Sequence, residues 1–230
     1  MSKTIRKLKN LVRKILVGSM KPGVHQIKYG IGAGIQMVID PASKAQRIYG
    51  LDERELFPLF KHYAKHSTVF IDIGASDGYY GLLFKNLNKE GSVYLFDGSA
   101  EFLAEQQQNF TLNNLEFASH EAKLVGASNT EGMTCVDEYF KEVVGSFFIK
   151  IDVEGAELDV LKGALTILKT RKCCLIIETH GVDVEKACLQ LLQETGYTMQ
   201  IIKAAWWRRF VPEARSLDHN RWIGGANYLS

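Results

Sequence analysis

Apolar positions along the chain alternate between short runs and helical stripes. Thr68 to Ile73 is an apolar, β-branched run that predicts a buried strand, and Tyr79, Leu82, Leu83 and Leu87 then recur at helical spacing. The turn between them is Gly74-Ala75-Ser76-Asp77-Gly78. The alternation repeats. Ser92 to Phe96, Glu116 to Ser119, Phe147 to Asp152, Cys174 to Thr179 and Thr198 to Lys203 predict five further strands, Glu116 to Ser119 being the weakest pattern. Helices are predicted over 100–112, with Ser99 as N-cap, over 154–169 on the stripe Leu158, Leu161, Leu165 and Leu168, and over 183–195. Residues 221–229 read as a final strand that can run antiparallel. Strands alternating with helices predict an α/β, doubly wound architecture with a mostly parallel sheet.

The front of the chain has a different pattern. In residues 3–17, Ile5, Leu8, Val12, Ile15 and Leu16 form one stripe and bases fill most of the remainder, so a basic amphipathic helix is predicted. Such a helix can lie on an anionic membrane surface, pack on its own domain or a partner, or serve as a cleaved presequence. The sequence does not choose among these. Gly30-Ile31-Gly32-Ala33-Gly34 resembles a nucleotide loop, but no helical pattern follows it and Pro41 does, so a glycine-rich hairpin is expected. Residues 43–65 read as helical, with a break at Gly50 and a kink at Pro58. This divides the chain into an N-terminal extension, 1–45, and a main domain, 46–230.

Composition narrows the classes. A chain of 230 residues with 46% apolar and 23% charged residues is that of a folded globular domain. No apolar run is long enough to span a membrane. Cys135, Cys173, Cys174 and Cys188 lack zinc spacing and read as free thiols, which fits a cytoplasmic setting. Residues 1–21 carry seven bases and no acid, so the other 209 residues hold 21 bases against 26 acids, a net of −5. An acidic body does not indicate a nucleic-acid partner.

The candidate chemistry lies at strand ends, where doubly wound folds bind ligands. The turn after Asp72 has Ser and Tyr where a dinucleotide fingerprint needs glycines. Its acids, Asp72 and Asp77, suit a cationic ligand better than a pyrophosphate. Acid-x-Gly-x-x-x-Gly resembles the first motif of class I S-adenosylmethionine-dependent methyltransferases. Asp97 closes the second strand 25 residues after Asp72, in position to face a ribose. Lys150, Asp152 and Glu154 interrupt what a buried parallel strand would make continuously apolar. Glu178 and His180 end the fifth strand on one shared face. Buried charges are costly, and a ligand crevice is where that cost is usefully borne.

The segments DIGASDGYY, LNN at 112–114, Thr134-Cys135-Val136-Asp137 and above all KIDVEGAELDVLKGA resemble the FkbM-type methyltransferase family over residues 47–229. The resemblance implies a Rossmann-like class I methyltransferase fold with seven strands in the order 3-2-1-4-5-7-6. It implies S-adenosylmethionine as cofactor. Asp72, Gly74, Ala75, Ser76, Asp77, Gly78 and Tyr80 would hold its methionine part, Asp97, Gly98 and Ser99 the ribose, and Ala122 the adenine. Asp152 would lie near the methyl group. The departure from the family pattern is Asp97-Gly98-Ser99 in place of Glu-Pro.

The expected activity is O-methylation of a hydroxyl on a sugar, glycolipid, polysaccharide or natural product. N-methylation of an amine or nucleobase, or a non-catalytic scaffold recruited through the N-terminal helix, are the alternatives. His180 is the candidate general base, because the imidazole titrates near working pH, with Asp152 or Glu178 to orient it. A metal-free reaction is expected. Asp152, Glu154 and Glu178 are the residues that would hold Mg²⁺ in a metal-dependent one. Trp206-Trp207-Arg208-Arg209-Phe210 is a candidate acceptor wall or packing surface. The expected location is cytoplasmic, with peripheral membrane contact through residues 3–17 as an option. Oligomeric state is not legible.

Overall fold

The computed structural model describes residues 11–12, 14–15, 17–210 and 221–228. Leu11, Val12, Lys14, Ile15 and Val17 are helical, and the rest of the predicted 3–17 helix lies outside the described residues. Among the described residues no helix is long and apolar enough to cross a membrane.

The chain enters as an antiparallel hairpin, β1 (Gly23–Gln26) and β2 (Gln36–Ile39), and the glycine-rich stretch is its connection. Helix α1 (Pro41–Ile48) follows, capped by Asp40, whose Oδ1 accepts from Ala42 N at 2.9 Å. Pro58 opens the next helix, α2 (Phe57–His66), rather than kinking a longer one. In a first turn the missing proline N–H has no helical partner to lose, so the predicted 43–65 helix divides in two.

The main sheet has seven strands. They are β3 (Val69–Ile73), β4 (Ser92–Asp97), β5 (Ser119–Ala122), β8 (Phe147–Ile151), β9 (Cys173–Thr179), β10 (Thr198–Lys203) and β11 (Arg221–Ala226). Their order is β10-β11-β9-β8-β3-β4-β5, and β11 runs antiparallel to both its neighbours. In sheet-strand numbering this is 3-2-1-4-5-7-6, as the resemblance implies. A small parallel pair, β6 (Leu124–Val125) and β7 (Met133–Thr134), lies beyond β5.

Period two along each strand splits the core. Phe70, Phe148 and Cys174 face one cluster, and Val69, Ile71, Phe147, Ile149 and Leu175 face the other. The first cluster is completed by the hairpin (Ile27, Met37, Ile39), by α2, and by α3 (Tyr79–Leu87) and α4 (Glu101–Leu112). The second is closed by α5 (Val136–Tyr139), α6 (Glu157–Lys162), α7 (Leu165–Thr170) and α8 (Val182–Glu194). Two asparagines of α4 lock the hairpin in place. Asn109 Oδ1 accepts from Val38 N at 2.8 Å, and Asn113 exchanges bonds with Gln36 N and O at 2.8 and 2.7 Å.

Three boundaries differ from the sequence pattern. The third strand is Ser119–Ala122, not 116–119, because Phe117 precedes the strand and packs edge-on to Phe110 at 5.0 Å. The 154–169 helix breaks at Gly163, where a Cβ would lie 2.0 Å from the Gly126 carbonyl oxygen. Helix α4 begins at Glu101 with Ala100 as N-cap. Ser99 Oγ still accepts from Glu101 N at 3.3 Å.

Candidate active site

Three strand ends are tied together by backbone bonds. Gly74 N and Ala75 N both donate to Phe96 O at 2.9 Å, and Asp152 N donates to Ile73 O at 2.9 Å. Gly74 adopts φ 82°, and a Cβ there would sit 1.9 Å from the Asp152 carbonyl oxygen. Only glycine allows the first turn and the end of β8 to approach so closely. Asp97 clamps the turn from the other side: its Oδ2 accepts from Ser76 N and its Oδ1 from Ser99 N, each at 2.9 Å. Gln106 Nε2 donates to Ser76 O at 2.8 Å.

Two cavities meet at Gly74 and Asp152. The larger, about 410 Å³, is mostly apolar, walled by Phe96, Leu124, Val125 and Met133 with Asp97 and Gly98 at its edge. Lys123 to Ser128 line it. Ala122, which pairs with Asp97 in register, does not, and neither does Ser99. The smaller, about 170 Å³, is polar, and its lining includes Ala75, Ser76, Asp77, Tyr80, Lys150 and Glu178. Gly78 lines neither. It serves as N-cap of α3 with φ 82°.

The polar ends of β3, β8 and β9 lie on one face of the sheet, since Asp72 pairs with Lys150 in register and period two carries Lys150 to Asp152 and Glu178 to His180. Asp72 is 1% exposed, and neither carboxylate oxygen has a hydrogen-bond partner among the described residues. Burial pushes its carboxyl up to about 7 against the pull of Lys150, and Asp152, Asp77 and Asp97 add to the rise. Lys150 Nζ reaches Asp152 Oδ2 at 3.3 Å and lies 4.4 Å from the centre of the Tyr80 ring. Burial disfavours its ammonium, but Asp152, Glu53, Asp72 and Glu178 outweigh burial and hold it charged. Burial, then Glu53 and Asp152, push Glu178 above the ordinary carboxyl range against Lys150. Tyr80 donates its hydroxyl to Glu53 Oε2.

His180 Nε2 lies 3.7 Å from Asp152 Oδ1 and 3.9 Å from Glu178 Oε1. These three residues present ligand atoms within 4.8 Å of one another. Glu154, in the expected Mg²⁺ set, is exposed and lines the larger cavity instead, so the structure brings His180 rather than Glu154 to Asp152 and Glu178. Neither Asp152 nor Glu178 is within bonding distance of the ring. Glu157 is, with Oε1 2.6 Å from His180 Nδ1. The contact expected of Asp152 or Glu178 is thus made by Glu157. Asp77 is drawn aside. Arg47 Nη1 and Lys44 Nζ hold its Oδ2 at 2.6 and 2.7 Å. Burial raises its carboxyl, but the two cations outweigh burial and lower it below the usual range.

Sequence reasoning missed Glu53, Lys44 and Arg47, which arrive from the N-terminal side. Glu53 alone carries a local mark, a left-handed φ of 44° at a non-glycine residue, and that is visible only in the structure. Trp206 is 71% exposed, whereas Arg208 is buried, lines the smaller cavity and lies over the Trp222 ring at 5.2 Å.

Solved structures share this fold. A methyltransferase FkbM from Methylobacillus flagellatus KT matches with TM-score 0.54 and 16% identity over 78% of this chain and 54% of that one, so the chain spans about half the length of that protein. An rRNA methylase from Streptococcus thermophilus matches with TM-score 0.53 and 14% identity, covering 77% and 98%. An S-adenosylmethionine-dependent O-methyltransferase from Thermotoga maritima matches with TM-score 0.50 and 15% identity, covering 75% and 66%. No curated protein matches in sequence. The strand order, the glycine turn and these likenesses define a class I methyltransferase fold. Residues 132–204, just under a third of the chain, match the family model described as the methyltransferase FkbM domain. Over that segment the chain is similar to FkbM methyltransferases, and the likenesses together suggest S-adenosylmethionine as the cofactor.

The residues present fit that cofactor. An apolar cavity edged by a carboxylate suits an adenosine, and two buried carboxylate oxygens without partners at Asp72 suit a cationic end.

Proposed function

We propose that the protein methylates a hydroxyl group of a sugar, glycolipid, polysaccharide or natural product. The observation that carries this reading is the convergence of His180 with Asp152 and Glu178, which line the polar cavity, Asp152 also lining the apolar one. Bound S-adenosylmethionine supplies an electrophilic methyl group on a sulfonium. The chain's residues have two remaining tasks, alignment and proton removal. Asp97 and the walls at Phe96, Leu124 and Met133 would hold the adenosine. Asp72 and the 74–78 turn would hold the methionine end. His180 Nε2 would take the hydroxyl proton, and Asp152 beside the ring favours the charged imidazolium that results. A polar cavity lined by carboxylates and tyrosines suits a polyhydroxylated acceptor.

Calorimetric titration with S-adenosylmethionine tests the cofactor half of this reading. Micromolar binding is expected, with a loss of at least about 10²-fold in Asp72→Ala, since a desolvated charge partner is removed. Equal affinity in the variant would remove Asp72 from the site. Screening hydroxylated acceptors for S-adenosylhomocysteine release then tests the acceptor half. Amine acceptors turning over in place of hydroxylated ones would overturn the O-methyl reading.

A further inference from the structure

The segment before the hairpin carries charge and apolar surface that the site does not use. Residues 1–21 hold seven bases and no acid, whereas residues 22–230 hold 21 bases against 26 acids. The sequence places an apolar stripe from Ile5 to Leu16 on one side of a helix and most of the bases on the other. Leu11, Val12, Lys14, Ile15 and Val17 are helical, and Gly18 N donates to Lys14 O at 2.8 Å in the last turn. Met20, just past that turn, packs against the core cluster that the hairpin helps to build, so the helix leaves the domain at a packed residue. Val12 and Val17 are half-buried. Leu11 and Ile15, four residues apart and so on one face, are 54% and 69% exposed, and Lys14 is exposed as well. The domain leaves this edge of the stripe uncovered.

We propose that this helix is an interfacial anchor, with Leu11 and Ile15 entering the headgroup boundary of an anionic bilayer while the bases meet its lipid headgroups. Apolar side chains held in water are a cost that a bilayer interface removes. Bases without an acid among them are drawn to an anionic leaflet, and each base near the surface contributes roughly fivefold in affinity. A nucleic acid would answer the bases but not the leucine and isoleucine. The acidic body supplies no such attraction, so the separation of charge makes the helix, and not the sheet, the part that meets lipid. Two apolar side chains bury little on their own, and the attachment needs both contributions. It is therefore reversible and falls with salt. None of this depends on which acceptor is methylated.

The test is co-sedimentation of the full chain with vesicles, either phosphatidylcholine alone or equal parts phosphatidylcholine and phosphatidylglycerol. Binding to the mixed vesicles and not to phosphatidylcholine alone is expected. It should weaken on the order of tenfold or more as salt is raised from about 0.1 to about 1 M. Lys14→Glu should weaken it by roughly fivefold or more. Leu11→Asp combined with Ile15→Asp should weaken it by at least roughly tenfold, since the inserted apolar area is lost. All three side chains are exposed, so the urea midpoints of both variants should match that of wild type. Equal binding to the two kinds of vesicle would overturn the proposal, as would wild-type binding by the double variant. Absence of binding to the mixed vesicles would overturn it too. If the double variant then converts a dimer to a monomer in sedimentation velocity, a second copy of the chain covers the face in place of lipid.

Discussion

Asp72, within β3, and Asp77, in the turn after it, lie five residues apart, and both are buried, at 1% and 2% exposure. Their surroundings are opposite. Asp77 is held by Arg47 at 2.6 Å and Lys44 at 2.7 Å, and the cations keep it ionised. Asp72 has no hydrogen-bond partner on either oxygen, and burial lifts it to about 7. The first is a strut that fastens α1 to the glycine turn. The second is a cost the fold has no structural need to carry. A buried acid without hydrogen-bond partners, two residues before a glycine that lines both cavities, is where a ligand's positive charge can be compensated, whereas a buried acid with two partners is already satisfied. Acidity on a turn therefore says little until the partners are known.

Removing the strut should have the largest effect. Asp77→Ala leaves the Arg47 guanidinium and the Lys44 ammonium facing an emptied site. Breaking a buried pair from one side costs about 3–5 kcal/mol. Urea denaturation of the variant without cofactor measures it. A loss under about 1 kcal/mol would mean that Asp52, 2.8 Å from Arg47 Nε, carries the contact and that Asp77 is no strut.

Asp72 should behave in the opposite sense. Its value rises from 3.8 to about 7 on folding, so the native state holds the proton across that window and the unfolded state does not. Stability from this group is therefore present at low pH and falls as pH climbs toward 7, which is the reverse of a salt-bridged aspartate. Asp72→Asn abolishes that fall. Without cofactor, the variant should gain on wild type by on the order of 2–4 kcal/mol between pH 5 and 8. Denaturation midpoints at the two pH values check it. A variant equally destabilised at both would show that Asp72 has a structural partner after all.

The same contrast marks what could be read from the sequence. The strand order followed from the family resemblance, whereas the polar row at Lys150, Asp152, Glu178 and His180 was legible in the residues, because a charged residue in a doubly buried strand breaks an otherwise apolar run. Glu53, Lys44 and Arg47 were not, because they reach the site by tertiary packing of the hairpin and α1, which Asn109 and Asn113 hold against α4. No local spacing encodes that. The edge strand Ser119–Ala122 was misplaced because it is polar and its strongest apolar neighbour, Phe117, belongs to the turn before it. Gly163 was read as part of a continuous helix because the leucine stripe runs through it. Only the fold shows that a Cβ at 163 would run into the carbonyl of Gly126, 37 residues earlier, so that the stripe passes through a position reserved for glycine. Glu157 was visible within the motif. Its bond to His180 was not, since it joins the start of α6 to the end of β9 across 23 residues of sequence.

The smallest expected effect separates the two cations on Asp77. Lys44 has a side chain 36% exposed, against 13% for Arg47, and solvent screens what it contributes. Arg47 also stacks over the Tyr79 ring at 4.2 Å and bonds Asp52, so its place is set by three contacts, and Lys44 has no such framework. Lys44→Ala should cost less than about 1 kcal/mol, because Asp77 keeps its buried guanidinium and a flexible side chain recovers its entropy. The loss should shrink further at high salt, while the Asp77→Ala loss should not. A Lys44→Ala cost close to that of Asp77→Ala, and insensitive to salt, would mean the strut depends on both cations together. In that case the ammonium at the cavity edge and the guanidinium together set where the turn stands.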